Sequence, residues 1–271
     1  MFNELSNTEI RSLFELINSK FKVDFTEYSL PTMQRRVDRV MKLFSLRDMQ
    51  ELKDLVLSDG DIFPIIRNEL TVTTTEMFRD IPFWKSVLHN VIPVVKSKSH
   101  FDIWSNGCSS GEELYSLAII LFENGLLDKV SLLGSDINSE KLESARQGVF
   151  DRKLVDLYEK YYQELGGKNS LFDYIQLINE NQYQFIDHLR DAVRFEYIDT
   201  IKELPTQTFD FILTRNVLIY FRMELQELVV GNLINHLNPT GFFALGIQEN
   251  ISWCKEYQQL SKLFDSNLFQ K

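Results

Sequence analysis

From Ile103 to Ile120 the chain reads IWSNGCSSGEELYSLAII: a short apolar strand, a turn of small and polar residues carrying Gly107 and Gly111, two glutamates, and an amphipathic helix. A strand that enters a glycine turn and leaves as a helix is the junction around which open α/β sheets are built, so this segment constrains the fold most. The segments after it keep the same alternation. FDIWSN, VSLLGSD, AVRFEYID and FDFILTR read as strands, SEKLESARQG and MELQELVVGNLINHL as helices, PTGFFALG as a turn and strand, and SNLFQK as a last strand. Strands alternating with helices imply an α/β fold: a doubly wound, Rossmann-like and mostly parallel sheet with helices on both faces.

Two regions break the alternation. Before residue 70 there is no strand pattern: Ile10, Leu13, Phe14, Ile17 and Phe21 recur at helical spacing behind a possible Ser6–Glu9 capping box. A second helix sets Leu30, Met33, Val37, Val40, Met41 and Phe44 on one face and Arg35, Arg36, Arg39 and Lys42 on the other, and Leu52, Leu55 and Val56 form a third apolar group. Residues 151–192 hold a helix and then LFDYIQLI and YQFIDHL around NENQ, which reads as a small antiparallel β insertion. The expected organisation is an all-helical domain over 1–70, a linker over 71–82 and an α/β domain over 83–271 that carries the insertion.

Composition narrows the function. Net charge is −10 over 271 residues, which argues against nucleic acid and against a membrane surface as partners, because both draw on clustered Lys and Arg. LAIILF, the longest interior apolar run, is too short to cross a bilayer, and MFNELSNTEIRS lacks a signal-peptide pattern. Two cysteines, Cys108 and Cys254, give neither a disulfide framework nor zinc-ligand spacing. A reduced, cytoplasmic setting and a monomer are expected.

The glycine turn poses a chemical question. Dinucleotide sites set pyrophosphate on the helix N-terminus, where Glu112 would repel it and compete for the same amides. A cationic ligand without phosphate resolves the conflict, and S-adenosylmethionine has that character. The second strand ends in Asp136, 25 residues after Gly111, where an acid suits ribose hydroxyls. Both features are equally those of a tight strand-to-helix turn and of a turn aspartate with no ligand.

WSNGCSSGEELYSLAI resembles the S-adenosylmethionine loop of the CheR family, the chemotaxis-receptor glutamate O-methyltransferases, which carry a W-S-x-G-C-S-T-G-E-E-x-Y-S run. TVTTTEMFRD resembles the family's linker, SDINSEKLESARQGVF its second-strand segment, FDFILTRNVLIYF its fourth strand and following turn, and LNPTGFFALGIQENI its next strand and glycine–glutamate turn. The motifs come in the family's order over nearly the whole chain, the N-terminal helices included.

The resemblance implies roles for particular residues. Glu112 matches the glutamate that holds the cofactor's ammonium, Gly107 belongs to the glycine turn, and Asp136 matches the ribose acid. Thr75 and Arg79 match the linker's cofactor contacts, with Thr73 beside them where many members have asparagine. Asp199 and Thr200 fall where the family has an Asn-Leu against adenine. Asn216 and Val217 match the pair lining the site, and Tyr220 a tyrosine close to the transferred methyl. Leu114 stands where proline is frequent, and Val40 where the basic helix commonly has another arginine. Arg36 and Arg39 are kept, as candidate substrate contacts.

The chain's other chemistry fits carboxyl methylation. His89, His100, His188 and His236 stand in no nucleophile or metal pattern. A side-chain carboxylate is already ionised at neutral pH and needs alignment and removal of water rather than a general base. Arg79 is suited to orient it through a planar fork, with a surface ion pair to Asp80 or Glu76 as the alternative. NVLIY lacks the prolines of the Asn/Asp-Pro-Pro-aromatic turn frequent in amine methylation. The expected activity is transfer of methyl from S-adenosylmethionine to glutamates of chemoreceptor cytoplasmic helices, leaving S-adenosylhomocysteine. Two alternatives stay open: a signalling module that binds cofactor or product without turnover, and a methyltransferase acting on a non-receptor carboxylate.

Overall fold

A computed structural model describes residues 5–26, 28–58, 62–71, 75–263 and 266–271. The chain divides into two compact units, Met1–Thr73 with Ile219–Gln226, and Thr74–Leu218 with Glu227–Lys271.

The first unit is built on four helices, α1 (Asn7–Phe21), α2 (Leu30–Leu43), α3 (Met49–Ser58) and α4 (Phe63–Leu70). The capping box at the start of α1 is present: the Glu9 amide donates to Ser6 Oγ at 3.3 Å and the Ser6 amide to Glu9 Oε2 at 2.9 Å. Ile10, Leu13, Phe14 and Ile17 of α1 pack with Met33, Val37, Val40 and Met41 of α2 in one buried cluster. Phe21 stacks on Phe63 of α4 at 3.6 Å between ring centroids. Helix α4 escaped the sequence analysis because eight residues hold barely two turns of a pattern, and Pro64 in its first turn reads as a breaker unless the start is known. Ile219–Gln226 joins this unit through the Ser29 amide, which donates to the Tyr220 carbonyl at 2.8 Å, and through Tyr28, which bridges Phe221 edge to face.

The second unit begins with one long helical segment. It comprises α5 (Ile81–Ser86), a wider π turn at Val87–Val91, and α6 (Ile92–Ser97). Pro93 explains the π turn: a proline ring in a regular helix would meet the carbonyl four residues back, and an extra residue in the turn makes room for it. Then follow β1 (Phe101–Asn106), α7 (Glu112–Glu123), β2 (Val130–Asp136) and α8 (Ser139–Gln147). The insertion consists of β3 (Val149–Asp151), α9 (Val155–Leu165), β4 (Ile175–Asn179), β5 (Gln182–Phe185) and α10 (Asp187–Asp191). The chain closes with β6 (Val193–Tyr197), β7 (Phe209–Thr214), α11 (Met223–Asn235), β8 (Leu237–Leu245), β9 (Ser261–Leu263) and β10 (Leu268–Gln270).

Seven strands form one sheet in the order β6-β2-β1-β7-β8-β10-β9. The first five run parallel and β10 and β9 close the edge antiparallel. From β1 the chain moves outward through β2 to β6 and then crosses back to β7, so the order reverses between β1 and β7. Residues 198–208 make that crossing with turns and no helix among them, one place where strict alternation fails. All six residues of β7 are buried, as a central parallel strand covered on both faces requires. Helix α7 is buried from Leu114 to Leu121 because sheet, α5 and the insertion all pack into the same apolar cluster. In the insertion β3, β5 and β4 pair antiparallel in that order, as the sequence suggests, although the first strand starts at Val149 and not within 151–192.

The N-terminal ends of β1, β7 and β8 are stapled by one carboxylate. Asp210 accepts from Lys98 Nζ at 2.7 Å, the Asp102 amide at 3.0 Å and Asn238 Nδ2 at 3.1 Å. Burial alone would raise its pKa, but these donors hold it below the ordinary carboxylate range. An acid with a depressed folded pKa contributes stability above its unfolded pKa of about 4, and that stability is lost as pH falls through the folded value. Asp210→Asn is therefore expected to cost about 1–3 kcal/mol at neutral pH in urea unfolding, and to flatten the fall in stability below about pH 4. Equal acid sensitivity in the two proteins would remove Asp210 from this role.

Candidate functional site

The C-terminal ends of β1 and β7, where the strand order reverses, are where open α/β sheets bind ligands. After β1 the chain turns at Gly107, φ +73°, with the amides of Gly107 and Cys108 both donating to the Ser135 carbonyl at 2.8 and 2.9 Å. A Cβ on Gly107 would lie 2.5 Å from Val217 Cγ2, so the turn after β1 approaches the turn after β7 only because residue 107 has no side chain. Gly111, φ +89°, opens α7.

Glu112 lies at the start of α7 and is 5% exposed. Its Oε1 accepts from Ser110 Oγ at 3.0 Å, while Oε2 is buried with no hydrogen-bond partner. Burial pushes its pKa up to about 7, against the lowering effects of its backbone, Ser110 and Lys141. An acid left half-satisfied at this position suits a cation that supplies N–H donors. At the end of β2, Asp136 accepts the Ser109 amide at Oδ2, 2.9 Å, and the Asn138 amide at Oδ1, 2.8 Å. Burial raises this pKa too, against the lowering effect of the Asn138, Ser109 and Ile137 amides, and the carboxylate keeps acceptor capacity for a hydroxyl. Cys108 is buried, and desolvation, with the charges of Asp136, Glu113 and Glu112, pushes its thiol pKa well up, so it stays protonated and unreactive.

A polar relay that sequence reading passed over joins the strand ends. Thr200 Oγ1 donates to Asn106 Oδ1 at 2.6 Å, and Asn106 Nδ2 donates to Thr214 Oγ1 at 3.1 Å. Asp199, next to Thr200, spends its carboxylate locally: Oδ1 accepts the Ile201 amide at 3.2 Å and Oδ2 pairs with Lys202 at 2.8 Å. Asn216 stands at φ +61°. Its amide donates to Glu249 Oε2 at 2.9 Å, the Leu218 amide to Glu249 Oε1 at 2.7 Å, and the Gly246 amide to Oε2 at 2.6 Å. One buried carboxylate thus ties the turn after β7 to the turn after β8. In the sequence its signal was only the glycine–glutamate turn, with nothing to show which amides it would collect.

The 71–82 stretch is described from Thr75 onward, with Thr71 before it; Thr73 lies outside the described residues. Thr75 is half-buried. Arg79 sits between two left-handed residues, Phe78 at φ +53° and Asp80 at φ +66°. The Phe78 amide donates to Ser116 Oγ of α7 at 2.9 Å. Asp80 pairs with the buried Arg215 at 2.6 Å, which also pairs with Glu113 at 2.7 Å. The ion pair of Arg79 with Asp80 or Glu76, weighed from the sequence, does not form, and the Arg79 guanidinium makes no hydrogen bond or ion pair with the described residues. Tyr220 lies in the first unit, partly buried against the helical core. So do Arg36, half-buried, and Arg39, whose Nε is 2.6 Å from Glu69 Oε2 of α4.

A reversing parallel sheet, a glycine turn leading to a half-satisfied buried glutamate, and an acid closing the adjacent strand together make the architecture of the nucleoside-binding methyltransferase class, with a helix start that suits a cation better than a phosphate. Residues 73–265 match the family described as CheR methyltransferase, SAM binding domain, and residues 8–71 match CheR methyltransferase, all-alpha domain. The chain belongs to the CheR methyltransferase family, and S-adenosylmethionine is its cofactor. It is similar to Cher3 of Pseudomonas putida, 32% identical over 92% of this chain and 90% of that one. It is 31% identical to chemotaxis protein methyltransferase 2 of Vibrio cholerae, over 79% of this chain and 73% of the relative. With the chemotaxis protein methyltransferase of Borreliella burgdorferi it shares 24% identity over 94% and 93% of the two chains. No helix among the described residues is long and apolar enough to cross a membrane.

Glu249→Ala leaves three amides without an acceptor at the turns after β7 and β8. It is expected to cost about 2–4 kcal/mol in urea unfolding, with Glu249→Gln between it and the unaltered protein. A loss under about 0.5 kcal/mol, the range of an ordinary surface substitution, would show that the carboxylate does not hold the turns.

Proposed function

We propose that this protein methylates glutamate side-chain carboxylates of chemoreceptor-like proteins, with cytoplasmic signalling helices as its partners. The observation that carries the reading is Arg79: a guanidinium on a turn just before α5, tied to α7 through the Phe78 amide and to Arg215 through its own carbonyl, with no acceptor of its own among the described residues. A planar cation without a partner suits a planar anion from outside the chain. Relatives named as chemotaxis protein methyltransferases, aligned over most of their length, support the same acceptor class.

When bound, S-adenosylmethionine supplies a methyl group on a sulfonium, ready for displacement by an oxygen nucleophile. The chain's part is to hold and orient. Glu112 takes the ammonium and Asp136 the ribose hydroxyls. Thr200 and Asp199 would border the adenine side, and Gly107, Asn216 and Val217 the wall between the turns, with Thr75 contributing from the linker; Thr73 is assigned to the cofactor by family resemblance alone and lies outside the described residues. Arg79 orients the acceptor carboxylate, and Tyr220, by family resemblance, is assigned the place beside the transferred methyl. Arg36 and Arg39 give the helical unit a cationic face for an acidic helix, with the charge of Arg39 partly met by Glu69. No general base is required, since the acceptor is already an anion at neutral pH.

Methyl transfer from labelled S-adenosylmethionine into receptor cytoplasmic fragments of the same organism tests the reading. The expected label is released as methanol by mild base and falls at least about 100-fold in Arg79→Ala, the size of effect seen when an orienting contact is lost. Binding of S-adenosylhomocysteine with no base-labile label on any receptor would instead favour a signalling module, and label on another acid a different acceptor.

Glu112 makes a second expectation, for pH. With a free-state pKa of about 7, its carboxylate must lose a proton before it can meet an ammonium, so acid opposes binding. S-adenosylhomocysteine affinity should be greatest above pH 7 and fall about tenfold per unit below it, and in Glu112→Gln it should be weak and flat with pH. Calorimetric titration across that range reads both, and a pH-independent affinity in the unaltered protein would take Glu112 out of the ammonium site.

A further inference from the structure

Arg215 has no role in the functional reading so far, yet it is the most heavily engaged cation in the second unit. It follows β7 directly and is 7% exposed. Its Nη2 lies 2.6 Å from Asp80 Oδ2 and 3.3 Å from the Arg79 carbonyl, and its Nη1 2.7 Å from Glu113 Oε2. Its guanidinium carbon lies over the Phe83 ring, 4.0 Å from the centroid. Glu113 is itself held by Ser105 Oγ of β1 at 3.2 Å. One side chain therefore joins the end of β7, the first turn of α7, the start of α5 and the turn that carries Arg79.

Stability does not account for such an arrangement. Buried ion triads are often matched or exceeded by apolar residues of similar volume, because desolvating three charges offsets their attraction. Here the guanidinium also leaves Nε buried without a partner. What the triad supplies is geometry. Arg79 lies between two non-glycine residues in the left-handed region, a backbone that persists only when its surroundings hold it. On one side the Phe78 amide is held by Ser116 Oγ, and on the other the Asp80 carboxylate and Arg79 carbonyl are held by Arg215. The Arg79 side chain has no acceptor of its own among the described residues, so its direction is inherited from this backbone. Arg215 also precedes Asn216, whose amide Glu249 holds, so the Arg79 turn and the turn after β7 are tied together across one peptide bond.

We propose that Arg215, acting through Asp80, is a positioning residue that fixes the turn presenting Arg79 and thereby sets the orientation of the acceptor carboxylate. The proposal rests on the reading of Arg79 as the group that meets the acceptor.

Asp80→Asn is the informative variant. Asparagine tolerates the left-handed backbone and keeps an acceptor oxygen, so only the charge holding Arg215 is lost. With the receptor fragment as acceptor, kcat/KM for the acceptor should fall about 10- to 100-fold, the cost of a small misplacement at a reacting group. The dissociation constant for S-adenosylhomocysteine should move less than about threefold, as for a contact outside the cofactor site. In an Arg79→Ala background the same substitution should have almost no further effect, because a residue that acts through Arg79 has nothing left to position. Arg215→Lys, which keeps charge but not the fork, should fall between. Independent, multiplicative effects of Asp80→Asn and Arg79→Ala, or unaltered acceptor kinetics in Asp80→Asn, would overturn the proposal. Hydrogen exchange of the Phe78 and Asp80 amides in the full chain with S-adenosylhomocysteine keeps the two readings apart. Exchange at least about tenfold faster in Asp80→Asn supports the clamp even if no receptor is methylated, whereas unchanged exchange removes it.

Discussion

The site depends on how closely two backbone turns approach each other. In a parallel sheet whose order reverses, the turns after the two central strands diverge to opposite faces and leave a crevice between them. Here the crevice narrows where Gly107 faces Val217, with 2.5 Å between the position of an absent Cβ and a valine methyl. The approach is held by polar groups on both sides: Asn106 between Thr200 and Thr214, and Glu249 collecting the amides of Asn216, Leu218 and Gly246. Left-handed residues without glycine's freedom gather at the same place, Ser109 after β1 and Asn216 after β7, with Phe78 and Asp80 flanking Arg79. Backbone strain of that kind persists only where neighbours over-determine it.

Charge is divided within the second unit as sharply as shape. The groups facing the nucleoside region from α7 and β2 are acids with raised pKa values, Glu112 and Asp136. Arg215 pairs with both Asp80 and Glu113, and Lys202 pairs with Asp199. Acids that are costly to ionise when unpartnered become favourable partners for a cation. A phosphate would meet repulsion at the same place, which is the physical content of Glu112 standing where dinucleotide folds keep the helix start clear.

Much of this was legible in the sequence, for reasons that can be located. The glycine turn, Glu112 and Asp136 are encoded locally, within a strand, a turn and the helix that follows, so spacing alone places them on one edge of a parallel sheet. The capping box at Ser6 and the buried face of α2 are equally local. What stayed hidden is whatever depends on partners far apart in the chain. Arg215 finds Asp80 and Glu113 more than a hundred positions away, and Thr200 and Asn106 meet across three strands. Asp199, read as an adenine contact, also accepts from its own turn and pairs with Lys202, a local preference of aspartate for hydrogen-bonding two residues ahead that spacing does not reveal. The alternatives written for Arg79 were both local ion pairs, and the distant Arg215 took Asp80 in their place.

That competition bears on how the chain handles two opposite charges at adjacent positions. Under the proposed function a carboxylate acceptor would have to come near the acids assigned to the cofactor, and like charges shielded from water repel strongly. The field needs a cation close to the acceptor but not so close to Glu112 that it neutralises the ammonium's partner. Arg215 meets this indirectly. By pairing with Asp80 and Glu113 it quenches the two acids adjoining the Arg79 turn, and it leaves the Arg79 guanidinium unpaired among the described residues. A buried arginine can in this way decide whether a half-buried one is available to an incoming anion.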